Sequence, residues 1–403
     1  MVRDGHRLGR SARDRVRRRY RRLLACGGAL SIALATACGE TGPDAPPPAP
    51  PVPAEPSAAP PTGTAAAPAA APSPSPHTEC AVNDILEPSC GAWWGASPYR
   101  DDVGPLEEAM GRRLDIVYYW HGVDQAALPA EHERQAALDG RIIHLNIEAR
   151  RFRQSGHPAV RYRQIIDGEF DESLRAQARN FADLGLPAFV TFDHEADADQ
   201  RYNRRGTPRE FTLAWRHIVD LYREEGADEV VWVWNVTGWP DNFDRLPRLW
   251  PGNGYVDWLS WEGYNMTGCD QQPQWDHVQS FADSVLPLYE WMHAHGERHG
   301  IDAGKPIMIG EMGTTPLPGG PEATADWYRA IPSVLERYPQ FKAVKLWENE
   351  LGRGCDFRVL NDERVTRGFV EAARAPHVNL PRVELLLDHL GFVDLAEAEG
   401  ARD

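Results

Sequence analysis

Short β-rich runs alternate with longer segments of helical period along most of the chain. Eight runs read as strands by their Val, Ile, Trp, Tyr and Phe content: "AWWGAS" (92–97), "LDIVYYW" (114–120), "RIIHLNI" (141–147), "PAFVTF" (187–192), "EVVWVWNV" (229–236), "VDWLSWEGY" (256–264), "KPIMIGE" (305–311) and "AVKLWEN" (343–349). Helices are predicted between them, among others over 171–185, 207–226 and 322–338. The second is punctuated, with Thr207 as N-cap, Pro208 at the first helical position, Glu210 at the capping-box position and Gly226 past the end.

Eight alternating units over roughly 300 residues predict an α/β fold, a (β/α)8 TIM barrel rather than an open doubly wound sheet. No G-x-G-x-x-G follows the first strand and no G-x-x-x-x-G-K-[ST] occurs, so a dinucleotide or P-loop site has no support. Barrel chemistry gathers at the C-terminal strand ends. There the chain carries Tyr119, Trp120, His121, Asn146, Glu148, His194, Glu195, Trp234, Asn235, Glu262, Tyr264, Asn265, Glu311, Trp347, Glu348 and Asn349. Aromatic faces stack on sugar rings, amides and carboxylates bind hydroxyls, and two carboxylates can cleave a glycosidic bond. A polysaccharide partner is therefore expected, although most of the fourteen Trp residues must fill space.

The ends have a different composition. Residues 1–22 carry ten Arg and two Asp, and an uncharged apolar stretch follows to Ala37, so 1–37 reads as an export signal. "LATAC" ending at Cys38 resembles a lipobox, which would acylate Cys38 and anchor the protein on a membrane; an ordinary secretory signal is the alternative. Residues 38–79 form a tether, with 14 Pro and 11 Ala between Gly39 and Thr78. The folded domain is expected over 80–375, and 376–403 is an extension whose "VELLLDHLGFVDL" could form an amphipathic capping helix.

Without residues 1–37 the formal balance is 33 basic against 57 acidic groups, or −24, which argues against a nucleic-acid partner. Cys80, Cys90, Cys269 and Cys355 remain, an even number for an oxidising compartment. Three pairings are open. A barrel favours Cys80 with Cys90 and Cys269 with Cys355, because the last two fall in loops after strands six and eight.

The acidic stretch "VTFDHEADADQ" (190–200) invites a metal reading, which its spacing rejects. A zincin needs His where Ala198 stands, and an EF-hand from Asp197 needs Gly and Glu where Tyr202 and Pro208 stand. "HAHGERH" (293–299) is explained by surface helix. No metal and no cofactor are expected, and the protein is read as a monomer.

Four stretches in order resemble glycoside hydrolase family 26, the retaining endo-β-mannanases, over about residues 90–375. They are "HE" at 194–195, "EFTLAWRHIVDLYREEGADEVVWVWNV" (210–236), "YVDWLSWEGYN" (255–265) and "KPIMIGEMG" (305–313). The resemblance implies Glu195 as acid/base and Glu311 as nucleophile, with carboxyls about 5 to 5.5 Å apart. It implies Tyr264 as a hydrogen-bond donor to the nucleophile, His194 beside the acid/base and Trp347 as a sugar platform; His121 and Trp234 are further expected substrate contacts. The chain departs from the family in several places. Glu262 stands where the family usually has Asp, Thr191 replaces an upstream Arg, and Ala196, Asp197, Ala198 and Gln200 replace an apolar residue, Asn-Gly and a Trp. Arg201, Arg204 and Arg205 are expected as surface charges balancing the Asp residues, with an acidic glycan as the other reading. The implied activity is hydrolysis of β-1,4-mannan, with β-1,3- or mixed-linkage glucan, xylan, or a silent glycan-binding barrel as alternatives.

Overall fold

All eight predicted strands form and close into one parallel barrel in chain order. They are β1 (Trp93–Ser97), β2 (Ile116–Gly122), β3 (Ile142–Glu148), β4 (Ala188–Phe192), β5 (Val230–Val236), β6 (Trp258–Asn265), β7 (Ile307–Thr314) and β8 (Phe341–Trp347). The computed structural model describes residues 80–269, 277–352 and 354–380. The expected export signal, Cys38, the tether 38–79 and the amphipathic stretch of the extension lie outside the described residues.

The helices are α1 (Gly104–Met110), α2 (Glu131–Leu138), α3 (Tyr162–Ile166), α4 (Asp171–Leu184), α5 (Pro208–Glu224), α6 (Leu246–Leu249), α7 (Phe281–His295), α8 (Pro321–Arg329), α9 (Ile331–Arg337) and α10 (Glu363–Ala373). The signals at α5 act as read: Glu210 N donates to Thr207 Oγ1 at 3.2 Å and Thr207 N donates to Glu210 Oε2 at 2.8 Å. The helix expected over 322–338 is two helices meeting at Ala330. Pro332 opens the second, where its missing N–H costs no hydrogen bond.

Alternate strand residues face alternate sides. One set, including Trp94, Val117, Leu145, Val190, Trp232 and Leu259, packs between sheet and helices. The other set fills the barrel in levels. At the N-terminal end Trp93, Ile116, Ile142, Phe189, Val231, Trp258, Met308 and Ala343 form an apolar layer. The loop 80–91, closed by the Cys80–Cys90 disulfide, plugs this end: Leu86 joins the layer, and Trp93 Nε1 and Trp258 Nε1 donate to Leu86 O (2.7 Å) and Ile85 O (2.6 Å). The chain returns here at its other end, where Ala92 N donates to His377 O at 2.9 Å and Leu380 packs on the same layer.

The Cys269–Cys355 disulfide spans the opposite face and joins the loops after β6 and β8. Both bridges match the pairing a barrel favours. A short two-stranded ribbon, β9 (Glu350–Gly352) with β10 (Cys355–Asp356), projects beside the second bridge.

Candidate active site

Above the apolar layer the barrel lumen turns polar. Tyr118, His144, Thr191, Ser260 and Lys345 are each 1% exposed or less, and the next level carries Asn146, Asn235 and Glu262. Buried polar groups of this number need mutual partners. Thr191 Oγ1 donates to Val233 O at 2.9 Å and takes the proton of His144 Nε2 at 2.9 Å, so His144 Nδ1 accepts from Lys345 Nζ at 2.7 Å.

Glu311 reaches this lumen through an irregularity in β7. The ladder to β6 runs Trp261↔Ile309 and then Gly263↔Met312, and the ladder to β8 runs Ile309↔Val344 and then Met312↔Leu346. Gly310 and Glu311 together thus oppose Glu262 on one side and Lys345 on the other, and this extra residue re-aims Glu311 inward. Only glycine fits at 310, since a Cβ there would lie 2.2 Å from Asn235 Oδ1.

Tyr264 Oη donates to Glu311 Oε2 at 2.8 Å, while Oε1 has no partner among the described residues. Burial and the neighbouring Glu195 carboxylate push Glu311 up to about 7, against the Tyr264 hydrogen bond, Lys345 and Arg201, which pull it down. Glu195 itself is raised, by burial first. Glu262 is raised well above the usual range by burial and then by Glu311 and Glu195, although Asn235 Nδ2 donates to its Oε1 at 2.5 Å. Three carboxylates therefore share one dry cleft.

His194 lies between them. Asn146 Nδ2 at 2.5 Å and Arg201 Nη1 at 3.1 Å both donate to its Nδ1, which puts the proton on Nε2, 4.0 Å from Glu311 Oε1. Burial holds this imidazole neutral, with its pKa well below the ordinary value.

The acidic stretch after β4 is a scaffold for Glu195. Asp193 and Glu195 both adopt left-handed backbone (φ 48° and 53°), a costly conformation that the surroundings must hold. Asp193 is fully buried, pairs with Arg205 and accepts from Tyr162 Oη at 2.7 Å. Glu195 N donates to Asn235 O at 3.1 Å. Asp197 accepts from Thr237 N at 3.0 Å and Thr237 Oγ1 at 2.5 Å, and exposed Asp199 pairs with Arg245 at 2.7 Å.

Several expected contacts are corrected. Arg201 and Arg205 are not surface charges: Arg201 is largely buried and donates to His194 O at 2.5 Å with Nη2 3.3 Å from Glu148, and Arg205 is 4% exposed. Trp234 points away from the lumen, is 1% exposed and packs edge to face on Trp250 at 5.0 Å, because Asn235 takes the inward position on β5. His121 also turns outward, with Nε2 2.5 Å from Glu133 on α2. Its neighbour Trp120 is the inward residue there, paired in register with Asn146. Trp347 stands by the cleft, edge-on to Tyr264 at 6.3 Å and 5.6 Å from Phe357.

Sequence reasoning missed Lys345 and misplaced Arg201. The available signal for the first was a charged residue two positions before Trp347, in the apolar run Ala343–Trp347 and on the same parity as both of those residues.

Glu195, Glu311 and Tyr264 at the C-terminal mouth of an eight-stranded barrel define a carboxylate cleft on a TIM-barrel scaffold. Solved structures with this fold include an endo-β-1,4-mannanase from Cellulomonas fimi, 18% identical with a TM-score of 0.55 and covering 73% of this chain and 72% of that one. A GH26 β-mannanase from Bacteroides ovatus is 16% identical with a TM-score of 0.53, covering 72% and 90%. A GH26 protein from Muricauda is 13% identical with a TM-score of 0.55, covering 73% and 89%. Among curated proteins the chain is similar to endoglucanase H of Acetivibrio thermocellus, 25% identical over 300 residues, which are 72% of this chain. The chain matches 31% of that relative's length. No protein-family model matches the chain.

Proposed function

We propose that this protein is a retaining endo-β-glycanase. The observation that carries the reading is the buried Glu311, one oxygen held by Tyr264 at 2.8 Å and the other free, in electrostatic contact with Glu195. In the first step Glu195 gives its proton to the glycosidic oxygen as that bond breaks, and Glu311 Oε1 attacks the anomeric carbon to form a glycosyl-enzyme. In the second step Glu195 takes a proton from water, whose oxygen displaces Glu311. Nε2–H of neutral His194 faces the attacking oxygen and can hydrogen-bond it or a sugar hydroxyl beside it. Trp120, Trp347 and a small pocket lined by Trp239, Glu262 and Gln279 offer sugar contacts.

β-1,4-Mannan is the first substrate to test, since similar folds occur in mannanases. β-Glucan is the second reading, favoured by the likeness to an endoglucanase and by the altered residues after Glu195. Purified protein and its E195A and E311A variants are assayed on mannan, mixed-linkage and β-1,3-glucan and xylan. Hydrolysis of one polymer, lost by at least about 10³-fold in E311A, is expected. No wild-type hydrolysis of any polymer overturns the enzyme reading in favour of a glycan-binding barrel.

We further propose export, with Cys38 acylated and residues 38–79 holding the barrel off the membrane. No described helix is long and apolar enough to cross one. Detergent partitioning of the cell-associated protein, abolished by C38S, is the expected result.

A further inference from the structure

Lys345 is a full-length cation inside a barrel, 1% exposed, on the middle of β8. Such burial is rare without a purpose, because an ammonium loses its hydration there. Room for it is made on both sides. β1 places Gly95 opposite it, where a Cβ would lie 3.0 Å from Lys345 Cγ, and β7 places the Gly310–Glu311 irregularity opposite it. Nζ lies 3.3 Å from the centre of the Tyr118 ring and 2.7 Å from His144 Nδ1. The direction of the His144–Thr191–Val233 chain leaves His144 neutral, and burial and the lysine hold its pKa well below the ordinary value. Of this pair it is therefore the lysine, not His144, that carries the proton.

We propose that Lys345 is a positioning residue for the reaction, the buried counter-charge that holds Glu311 in its ionised, attacking form from the strand beside it. This rests on reading Glu311 as the nucleophile. The charged and titratable groups facing Lys345 are Glu311 on β7, Glu262 on β6, His144 on β3, Tyr118 on β2 and His194 after β4; of these the two glutamates are the acids whose ionised forms answer it. Burial outweighs the upward pull of Glu311 and Glu262 and leaves the ammonium at about 7. The cation thus approaches Glu311 from β8, opposite the Gly310–Glu311 irregularity, and Tyr264 holds the same carboxylate from β6.

The test needs no substrate. The Glu311 carboxyl is followed by 13C NMR of labelled Glu, its signal assigned by loss in E311Q. In folded K345M the Glu311 midpoint is expected to rise by about 1 to 3 pH units, and K345R is expected to restore it. An unchanged midpoint in folded K345M overturns the proposal. Should K345M fail to fold, the reciprocal measurement decides: coupling acts equally on both partners, so the Lys345 ammonium midpoint must fall in E311Q by at least about half a unit. No movement there overturns it as well. The pH profile of kcat/KM then separates the two readings. With a hydrolysed polymer, the acid limb should move up in K345M and return in K345R. A polymer that is hydrolysed with no coupling sinks the role of Lys345 alone, whereas coupling without hydrolysis of any polymer sinks the glycanase reading.

Discussion

Glu311 carries the largest consequences for a single side chain. Its pKa of about 7 means that lowering the pH through 7 protonates the carboxylate proposed as nucleophile, so on that proposal kcat/KM should fall roughly tenfold per unit on the acid side. Tyr264 donates to the ionised form, and removing that donor destabilises the anion. Y264F should therefore move the acid limb upward by roughly one pH unit, which a pH–rate profile reads directly. The same shift has a cost in stability. A folded pKa above the unfolded value of 4.5 means that folding loses stability as pH rises from about 4.5 to about 7, and the loss is complete above that window. E311Q should accordingly be inactive yet more stable at pH 8, by roughly 1 to 3 kcal/mol in denaturant unfolding. An E311Q protein less stable than wild type would contradict the buried-charge account.

Among the elements, β7 and the loop after β4 do most to aim the carboxylates. The irregularity at Gly310–Glu311 turns Glu311 into the lumen, and the close approach of Asn235 leaves no space for a Cβ at 310. G310A should push Asn235, and with it Glu262 and Glu311, off their positions, lowering kcat by about 10²-fold while the barrel still folds. Circular dichroism and kcat together test this. The Cys269–Cys355 bridge closes an 86-residue separation beside Tyr264, Phe357 and Trp347. C269S/C355S should lose about 2 to 4 kcal/mol of stability and also raise KM, because the loops that hold those aromatic rings are freed.

At the scale of the whole molecule the two ends of the barrel divide the work. Chemistry gathers at the C-terminal mouth, and the 80–91 plug with its Cys80–Cys90 bridge seals the other end. C80S/C90S should therefore lower stability by about 2 kcal/mol and leave kcat/KM unchanged, in contrast to the other bridge. Every group named in the site belongs to the barrel and its loops after Cys80. A chain beginning at Cys80 should keep kcat/KM within about twofold of the full chain on the same polymer.

What could be read from residues alone was local or periodic: eight strands, the cap at Thr207, and carboxylates at the ends of strands four and seven. Barrel strands are apolar on both faces, so their composition does not say which parity looks into the lumen. That is why Trp234 and His121 were expected at the sugar and instead face the helices, while Trp120 and Lys345 face inward. A period of two also offers no warning of an inserted residue, and only the ladders to β6 and β8 show Glu311 turned inward between Glu262 and Lys345. Sequence determined the elements and the acids they carry, because propensity and capping act over a few residues. Tertiary structure alone decided which charges face each other: the fold of the loop after β4 brings Arg205 to Asp193, and the pairing of β7 with β8 sets Glu311 beside Lys345, neither of which a local pattern encodes.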